Sequence, residues 1–311
     1  MSKRKSVFAF ALLMLAASVC AAQSTPTSLS LRIPDKGFGS YTSLSQSYDS
    51  SANWTSIVDS TVAYNFNKVF GISLGAPFYL AYNQPLFTSS TTTSTQNGRP
   101  ALQFAPISGY RAMGDMRFGL RFATPTPIIK YVVTATGTAP TGNTSIGIST
   151  GRVTADFNNH VEFDLGRVSP LVEFGLADSS ALVNMVKRPY TTLGALSHYK
   201  AGLGLPLGKR LNLELAGYEN LPLGLQKLYS QEFNHGNGSA LNGKGSSAPI
   251  YEQVALAIGK GFTEDNGFTT GLNVDIGRYM DMGFTYDRSA RQKLDSIEFS
   301  IGIRIGHAPK Y

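Results

Sequence analysis

Large apolar residues alternate with polar ones along the last strand-like run of the chain, Leu294 to Ile305. The odd positions from Ile297 to Ile305 are all large and apolar, whereas the even positions carry Ser, Glu, Ser, Gly and Arg. Alternation with period two places the two sets of side chains on opposite faces of one extended strand. About ten residues is the length at which a tilted strand crosses a bilayer. The run therefore predicts a strand with one lipid-facing and one polar face.

The same alternation recurs along most of the chain. Short turns alternate with long polar connections, of which the longest are Asn83–Ser108 and Pro222–Asp265. The weak first strand is the predicted partner of the last. The sequence predicts twelve strands, at Ser40–Tyr48, Trp54–Phe66, Phe70–Tyr82, Asp115–Phe122, Ile129–Thr136, Val153–Leu165, Val172–Leu176, Tyr190–Leu205, Arg210–Leu215, Phe268–Ile276, Met280–Asp287 and Leu294–Ile305.

The count of twelve depends on the irregular region Pro222–Asp265. Both ends of a bacterial single-chain barrel are expected in the periplasm, which requires an even number of strands. The run Tyr251–Ile258 could form one more strand, but alone it would give thirteen. We therefore interpret the region as one excursion, either an extracellular hairpin or a segment folded into the lumen. Fourteen strands is the alternative if Gln226–Phe233 also crosses.

An antiparallel transmembrane β-barrel accounts for this pattern better than a secreted β-sandwich. The strands are longer than those of a sandwich, whose turns come every 8–12 residues. The polar faces are mostly Gly, Ser, Thr and Asn, where a soluble surface would carry more Lys and Glu. Backbone groups in hydrocarbon need internal partners, so only helices and closed barrels span a membrane. We predict an all-β, twelve-stranded barrel with two long loops.

The N-terminus predicts export. Lys3, Arg4 and Lys5 precede a short apolar run and small residues, as in a secretory signal peptide. We predict a signal peptide at residues 1–22 and a single barrel domain at 23–311, in the bacterial outer membrane; a lipidated Cys20 is the alternative. Of 27 basic and 20 acidic residues, three basic ones leave with the signal, so the net charge falls to +4. Scattered basic residues on an exported chain predict no nucleic-acid partner.

Charged residues of both signs fall on the predicted polar faces. Two functions are open: a lumen that selects solutes by charge, or a ladder of mutually neutralising charges, which the mixed signs favour. A sharper hypothesis is a cationic strip of Arg117, Arg121 and Lys130. Asp164, Arg210 and Asp281 share these faces. The pore-lining candidates are Asp115, Arg117, Arg121, Lys130, Asp156, His160, Glu162, Glu173, His198, Lys200, Glu214, Glu298 and Arg304.

Catalysis is not expected. An outer-membrane lipid hydrolase would need a Ser, a His and an orienting polar residue in contact at the outer leaflet. His160 and His198 instead fall on the lumen-facing pattern, with no nucleophile motif beside them. No two histidines have the spacing of metal ligands. We therefore predict no enzyme activity, no cofactor and no metal.

Two short motifs resemble a known family. Gly114-Asp115-Met116-Arg117-Phe118-Gly119-Leu120, followed by Gly137-Thr138-Ala139-Pro140-Thr141-Gly142, is similar to outer-membrane transporters of the phenol-degradation meta-pathway family. The resemblance covers Trp54 to Ile305, although Asn143 stands where such proteins often have Asp. It implies a channel for small, often hydrophobic or aromatic compounds, and it carries over no site residue.

These observations together predict a passive channel or transporter. Its expected partners are outer-membrane lipid, the barrel assembly machinery, which the terminal Tyr311 suits, and a small-molecule solute. The alternative is a non-transporting structural or adhesion barrel that acts through the loops Asn83–Ser108 and Pro222–Asp265.

Overall fold

A computed structural model describes most of the predicted barrel. The predicted signal peptide and Tyr311 lie outside the described residues. The residues described are 36–49, 53–87, 95–96, 99–100, 104–126, 128–142, 149, 151–183, 192–208, 210–231, 253–259, 264–277 and 279–305. No helix among them is long and apolar enough to span a membrane.

The described residues are almost entirely β-strand, with one short 3-10 helix at Ser180–Leu182. The strands are β1 (Gly37–Asp49), β2 (Asn53–Asn65), β3 (Phe70–Phe87), β4 (Thr95–Gln96), β5 (Arg99–Pro100), β6 (Phe104–Met113), β7 (Met116–Pro125), β8 (Ile129–Ala139), β9 (Thr154–Phe163), β10 (Ser169–Ser179), β11 (Thr192–Pro206), β12 (Leu211–Pro222), β13 (Gln226–Gln231), β14 (Gln253–Gly259), β15 (Asp265–Ile276), β16 (Met280–Ser289) and β17 (Leu294–Ile305).

Twelve of these strands form a closed antiparallel barrel, which confirms the predicted fold and strand count. Around the barrel they follow the order β1, β2, β3, β7, β8, β9, β10, β11, β12, β15, β16 and β17. The first strand pairs with the last, with Ser40 opposite Ile305 and Tyr48 opposite Ile297. The predicted closure is therefore confirmed. We call the end where β1 begins the terminus end, and the opposite end the loop end.

The prediction that Asn83–Ser108 is only a loop is wrong. β3 continues to Phe87, and β6 pairs with this extension. Nearer the terminus end, β3 pairs with β7 instead. Pro77 lies where the neighbour of β3 changes, because proline has no N–H to donate to a ladder.

The region between β12 and β15 is an excursion from the barrel, as predicted. β13 and β14 pair with each other, and Leu193 of β11 lies opposite Lys227 of β13. Neither strand takes a place in the twelve-stranded ring, so the fourteen-stranded alternative is wrong. Cα atoms of β13 also come within 8 Å of β3, which belongs to a distant part of the ring. The hairpin therefore extends across the loop end.

The two faces of the barrel wall differ in chemistry. On β7, Phe118, Leu120 and Phe122 are each more than half exposed on the outer face, whereas Arg117 and Arg121 point inwards. Aromatic pairs lie near the ends of the first strands: Tyr48–Trp54 with ring centroids 5.2 Å apart, and Tyr64–Phe66 at 5.0 Å. An apolar belt between aromatic girdles is the surface that a bilayer requires.

Candidate pore lining

Strand alternation places twelve of the thirteen predicted pore-lining residues on the inner face, and Asp115 is the departure. Asp115 precedes β7, and its Oδ1 accepts a hydrogen bond from the backbone N–H of Gly142 (3.0 Å). Asp164 and Arg210 are exposed in short connections between strands, so their predicted inward position is wrong. Asp281 is almost completely buried on the inner face.

A chain of charged side chains crosses three neighbouring strands near the terminus end. Lys130 Nζ of β8 lies 3.0 Å from Glu162 Oε1 of β9, and Glu162 Oε2 lies 3.7 Å from His160 Nε2. His160 Nδ1 lies 2.9 Å from Glu173 Oε1 of β10. Each ammonium or imidazole in this chain of charged side chains therefore lies beside a carboxylate.

The chain of charged side chains continues onto β11 and β12 through Lys200. Glu173 and Lys200 lie opposite each other in the β10–β11 ladder. Lys200 Nζ contacts Glu214 Oε1 of β12 at 2.5 Å. Lys200 is buried, so its charge is held among carboxylates with little water to screen it.

A second buried pair lies nearer the loop end. Nε2 of His198 lies 2.7 Å from Oδ1 of Asp156, and both side chains are almost completely inaccessible to solvent. The imidazole lies over Gly175, where an added Cβ would come within 2.5 Å of Nε2. A glycine is therefore needed on β10 for the ring to reach β9. An apolar cluster of Ala177, Leu182, Val183 and Leu196 is also buried at this end.

Two of the three residues of the predicted cationic strip, Arg117 and Lys130, are paired with carboxylates, and Arg121 lies on the same inner face. Arg117 forms an ion pair with Asp59 of β2, reaching across β3. Lys130 is paired with Glu162, as described above. The arrangement therefore favours paired charges over a continuous positive strip.

A third group of charges lies at the terminus end. Arg304 Nη2 lies 2.6 Å from Asp275 Oδ1 and 3.5 Å from Asp281 Oδ2. The hydroxyl of Tyr41 donates to Oδ1 of Asp281 (3.0 Å). This hydroxyl lies close above Gly302, where a Cβ would collide with it. The hydrogen bond from Tyr41 of β1 to Asp281 of β16 thus spans β17 and adds a side-chain contact across the closure of the barrel.

Four inward carboxylates were missing from the predicted set. Three of them lie on the polar faces of predicted strands, where the alternation identifies them, and the fourth, Asp265, lies at the end of the predicted excursion. Asp265 accepts hydrogen bonds from Ser289 (2.5 Å) and Tyr218 (3.3 Å). With these four, ten carboxylates and five Lys or Arg side chains lie on the inner face of the described barrel. The four are Asp59, Asp265, Asp275 and Asp287.

The exposure of inward side chains varies along the lumen. His198, Asn220 and Gln226 towards the loop end are 0–2% exposed. Lys130 and Glu214, nearer the terminus end, have side chains 35% and 28% exposed. The interior is therefore closely packed around these three residues, and the lumen is more open to water beside Lys130 and Glu214. No group of residues that could hold a metal ion occurs in the described part of the chain.

Comparison with solved structures identifies the fold. An outer membrane channel from Pseudomonas putida F1 aligns over 91% of this chain and 100% of its own, with 10% identity and a TM-score of 0.53. This chain has the fold of a bacterial outer-membrane barrel. Two others align with lower TM-scores: the NanC porin (8% identity, 85% and 99% coverage, TM-score 0.45) and the CymD monoaromatic hydrocarbon channel (8%, 94% and 96%, 0.42).

Comparison of the sequence itself adds no family. No protein-family model matches the chain, and no curated protein matches it. The resemblance to the phenol-degradation meta-pathway family therefore stays a prediction. The structure does bring its two motifs together, since Thr141 Oγ1 accepts from the backbone N–H of Met116 (2.9 Å).

Proposed function

We propose that the protein is a passive channel for small molecules in the outer membrane of a bacterium. The observation that carries this proposal is the contrast between the two faces of a closed barrel. An apolar outer face suits lipid, and an inner face of hydrogen-bonded charges suits water and solute. Export by residues 1–22 and insertion by the barrel assembly machinery belong to the same proposal.

The proposed role does not include catalysis. The two inward histidines, His160 and His198, each lie beside a carboxylate. A hydrolytic site would need a nucleophile within hydrogen-bonding reach of the imidazole. The carboxylate contacts favour a role for both histidines in the paired charges on the inner face of the barrel.

A finer proposal concerns the solute class. The motifs at Gly114–Leu120 and Gly137–Gly142 support small hydrophobic or aromatic compounds as the solutes, because the motifs resemble those of a family that transports such compounds.

A structural or adhesion barrel is the second candidate function. The close packing of the interior near His198 favours it, since a closed loop end would hinder passage.

Solute flux into liposomes separates the two candidates. Purified mature protein is reconstituted, and uptake is followed for small polar, aromatic and aliphatic solutes, with protein-free liposomes as the control. A channel gives uptake proportional to the amount of folded barrel, and a preference for aromatic solutes supports the finer proposal. Uptake no faster than in protein-free liposomes for every solute would leave only the structural candidate.

A further inference from the structure

The inner face of the barrel carries an excess of negative charge. Its ten carboxylates outnumber its five Lys and Arg side chains in the described residues. Counting His160 and His198 as cations would leave the carboxylates in excess. The mature chain as a whole has the opposite sign, with a net charge of +4 after loss of the predicted signal. Negative charge is thus concentrated where a solute would pass.

The excess is pronounced around Lys200. This ammonium interacts electrostatically with Glu173 and Glu214 beside it and with Asp287 of β16. Asp287 in turn interacts with Glu298 of β17 and with Glu214. β11 and β16 are not neighbours, because β12 and β15 lie between them. The interactions therefore extend over an arc of the lumen wall, where one ammonium interacts with three carboxyl groups and Glu298 lies near the third of them.

Burial strengthens the effect of these charges. Lys200 is 8% exposed and Glu173 is 1% exposed. Charges with low-dielectric surroundings act on a passing ion more strongly than charges on an open surface. A ring of acidic side chains in a narrow pore favours cations over anions.

We propose that Glu173, Glu214, Asp287 and Glu298, around Lys200, form a cation-selective filter that admits small cations and protonated amines and excludes anions. This inference rests on the proposed channel function and adds a charge class to its solutes. Lys200 limits the excess of negative charge and holds the carboxyl groups close together.

The test is the reversal potential of the mature protein in a planar bilayer with a KCl gradient. We expect K⁺ to be at least about threefold more permeant than Cl⁻. Glu298→Gln and Glu214→Gln should each lower this ratio by about half, because each removes one carboxylate from the filter. Asp178→Asn is the matched control, since Asp178 is exposed on the outer face of β10 and should leave the ratio unchanged.

A measurement on the unmodified protein covers the case in which a variant fails to fold. The Debye length is about 10 Å at 0.1 M salt and about 3 Å at 1 M, so the K⁺ preference should fall at high salt. A conducting barrel that prefers Cl⁻, or a ratio that neither variant nor salt changes, would overturn the filter alone. A barrel that conducts no ions and passes no solute would overturn the channel itself.

Discussion

The backbone N–H of Gly142 donates a hydrogen bond to Oδ1 of Asp115 over 3.0 Å, which joins the connection after β8 to the start of β7. An added Cβ at Gly142 would lie 2.9 Å from the carbonyl carbon of Gly114. The backbone has little freedom to move away, because Gly114 N also donates to Pro77 O (2.9 Å). The two motifs of the family resemblance therefore form one packed junction.

Gly142→Ala should destabilise the barrel by about 1–3 kcal/mol, since overpacking forces a backbone shift. Gly137→Ala is the matched control, because its added Cβ would meet nothing closer than 3.9 Å. Urea unfolding in lipid vesicles, followed by the fluorescence of the single Trp54, measures both variants. Equal unfolding midpoints for the two variants would contradict the packed junction.

The faces of the strands could be predicted because period-two alternation is a property of each strand alone. Arg117 and Glu298 were assigned to the lumen in this way. Their partners could not be predicted, because contacts depend on register between strands. Arg117 reaches Asp59 on β2 by crossing β3. The residue of β3 opposite Arg117 in the ladder is Gly75, which has no side chain.

Polar residues that break the alternation were also beyond prediction. Asn159 lies on the outer face of β9 yet is buried. It accepts a hydrogen bond from Tyr131 (2.8 Å) and donates one to the carbonyl of Phe174 (3.2 Å). These partners come from two neighbouring strands, so only the assembled sheet shows how a polar amide is accommodated there.

The buried pair of His198 and Asp156 should show strong coupling in a double-mutant cycle. Replacing one member of a buried pair leaves the other without its partner, which costs about 3–5 kcal/mol. His198→Leu and Asp156→Leu should therefore each destabilise the barrel. The double variant should lose less than the sum of the two. Additive losses in urea unfolding would show that the two side chains do not stabilise each other.

The two faces of β17 should respond differently to the same charge. Ile301 is 42% exposed on the outer face, whereas Ser300 faces the lumen opposite Gly283. Ile301→Arg should hinder insertion, because an Arg on the lipid face near the bilayer centre costs about 2–4 kcal/mol. Ser300→Arg should insert normally. Heat-modifiable migration on gels measures the folded fraction, and equal yields would contradict the assigned faces.

Removal of Arg117 should strengthen the preference for cations. Arg117→Gln leaves the carboxylate of Asp59 without its ion-pair partner on the inner face. The K⁺ to Cl⁻ permeability ratio should therefore rise, and Arg167→Gln in an exposed turn is the control that should not change it. A fall in the Cl⁻ permeability confined to Arg117→Gln is the expected pattern. An unchanged ratio would show that ions do not pass near this pair.

The β13–β14 hairpin should limit conductance without contributing to the barrel. Gln226 holds its base, since its Nε2 donates to the carbonyl of Ala195 (2.8 Å). The twelve-stranded ring closes without either strand, so a chain with residues 227–258 replaced by a short Gly-Ser linker should still fold. Bilayer conductance should rise because the hairpin extends across the loop end.

A second variant, Gln226→Ala, keeps the hairpin and releases only its base. A rise in the deletion with a smaller one in Gln226→Ala would assign the restriction to the hairpin. Unchanged conductance in a folded deletion variant would place the narrowest passage within the barrel itself.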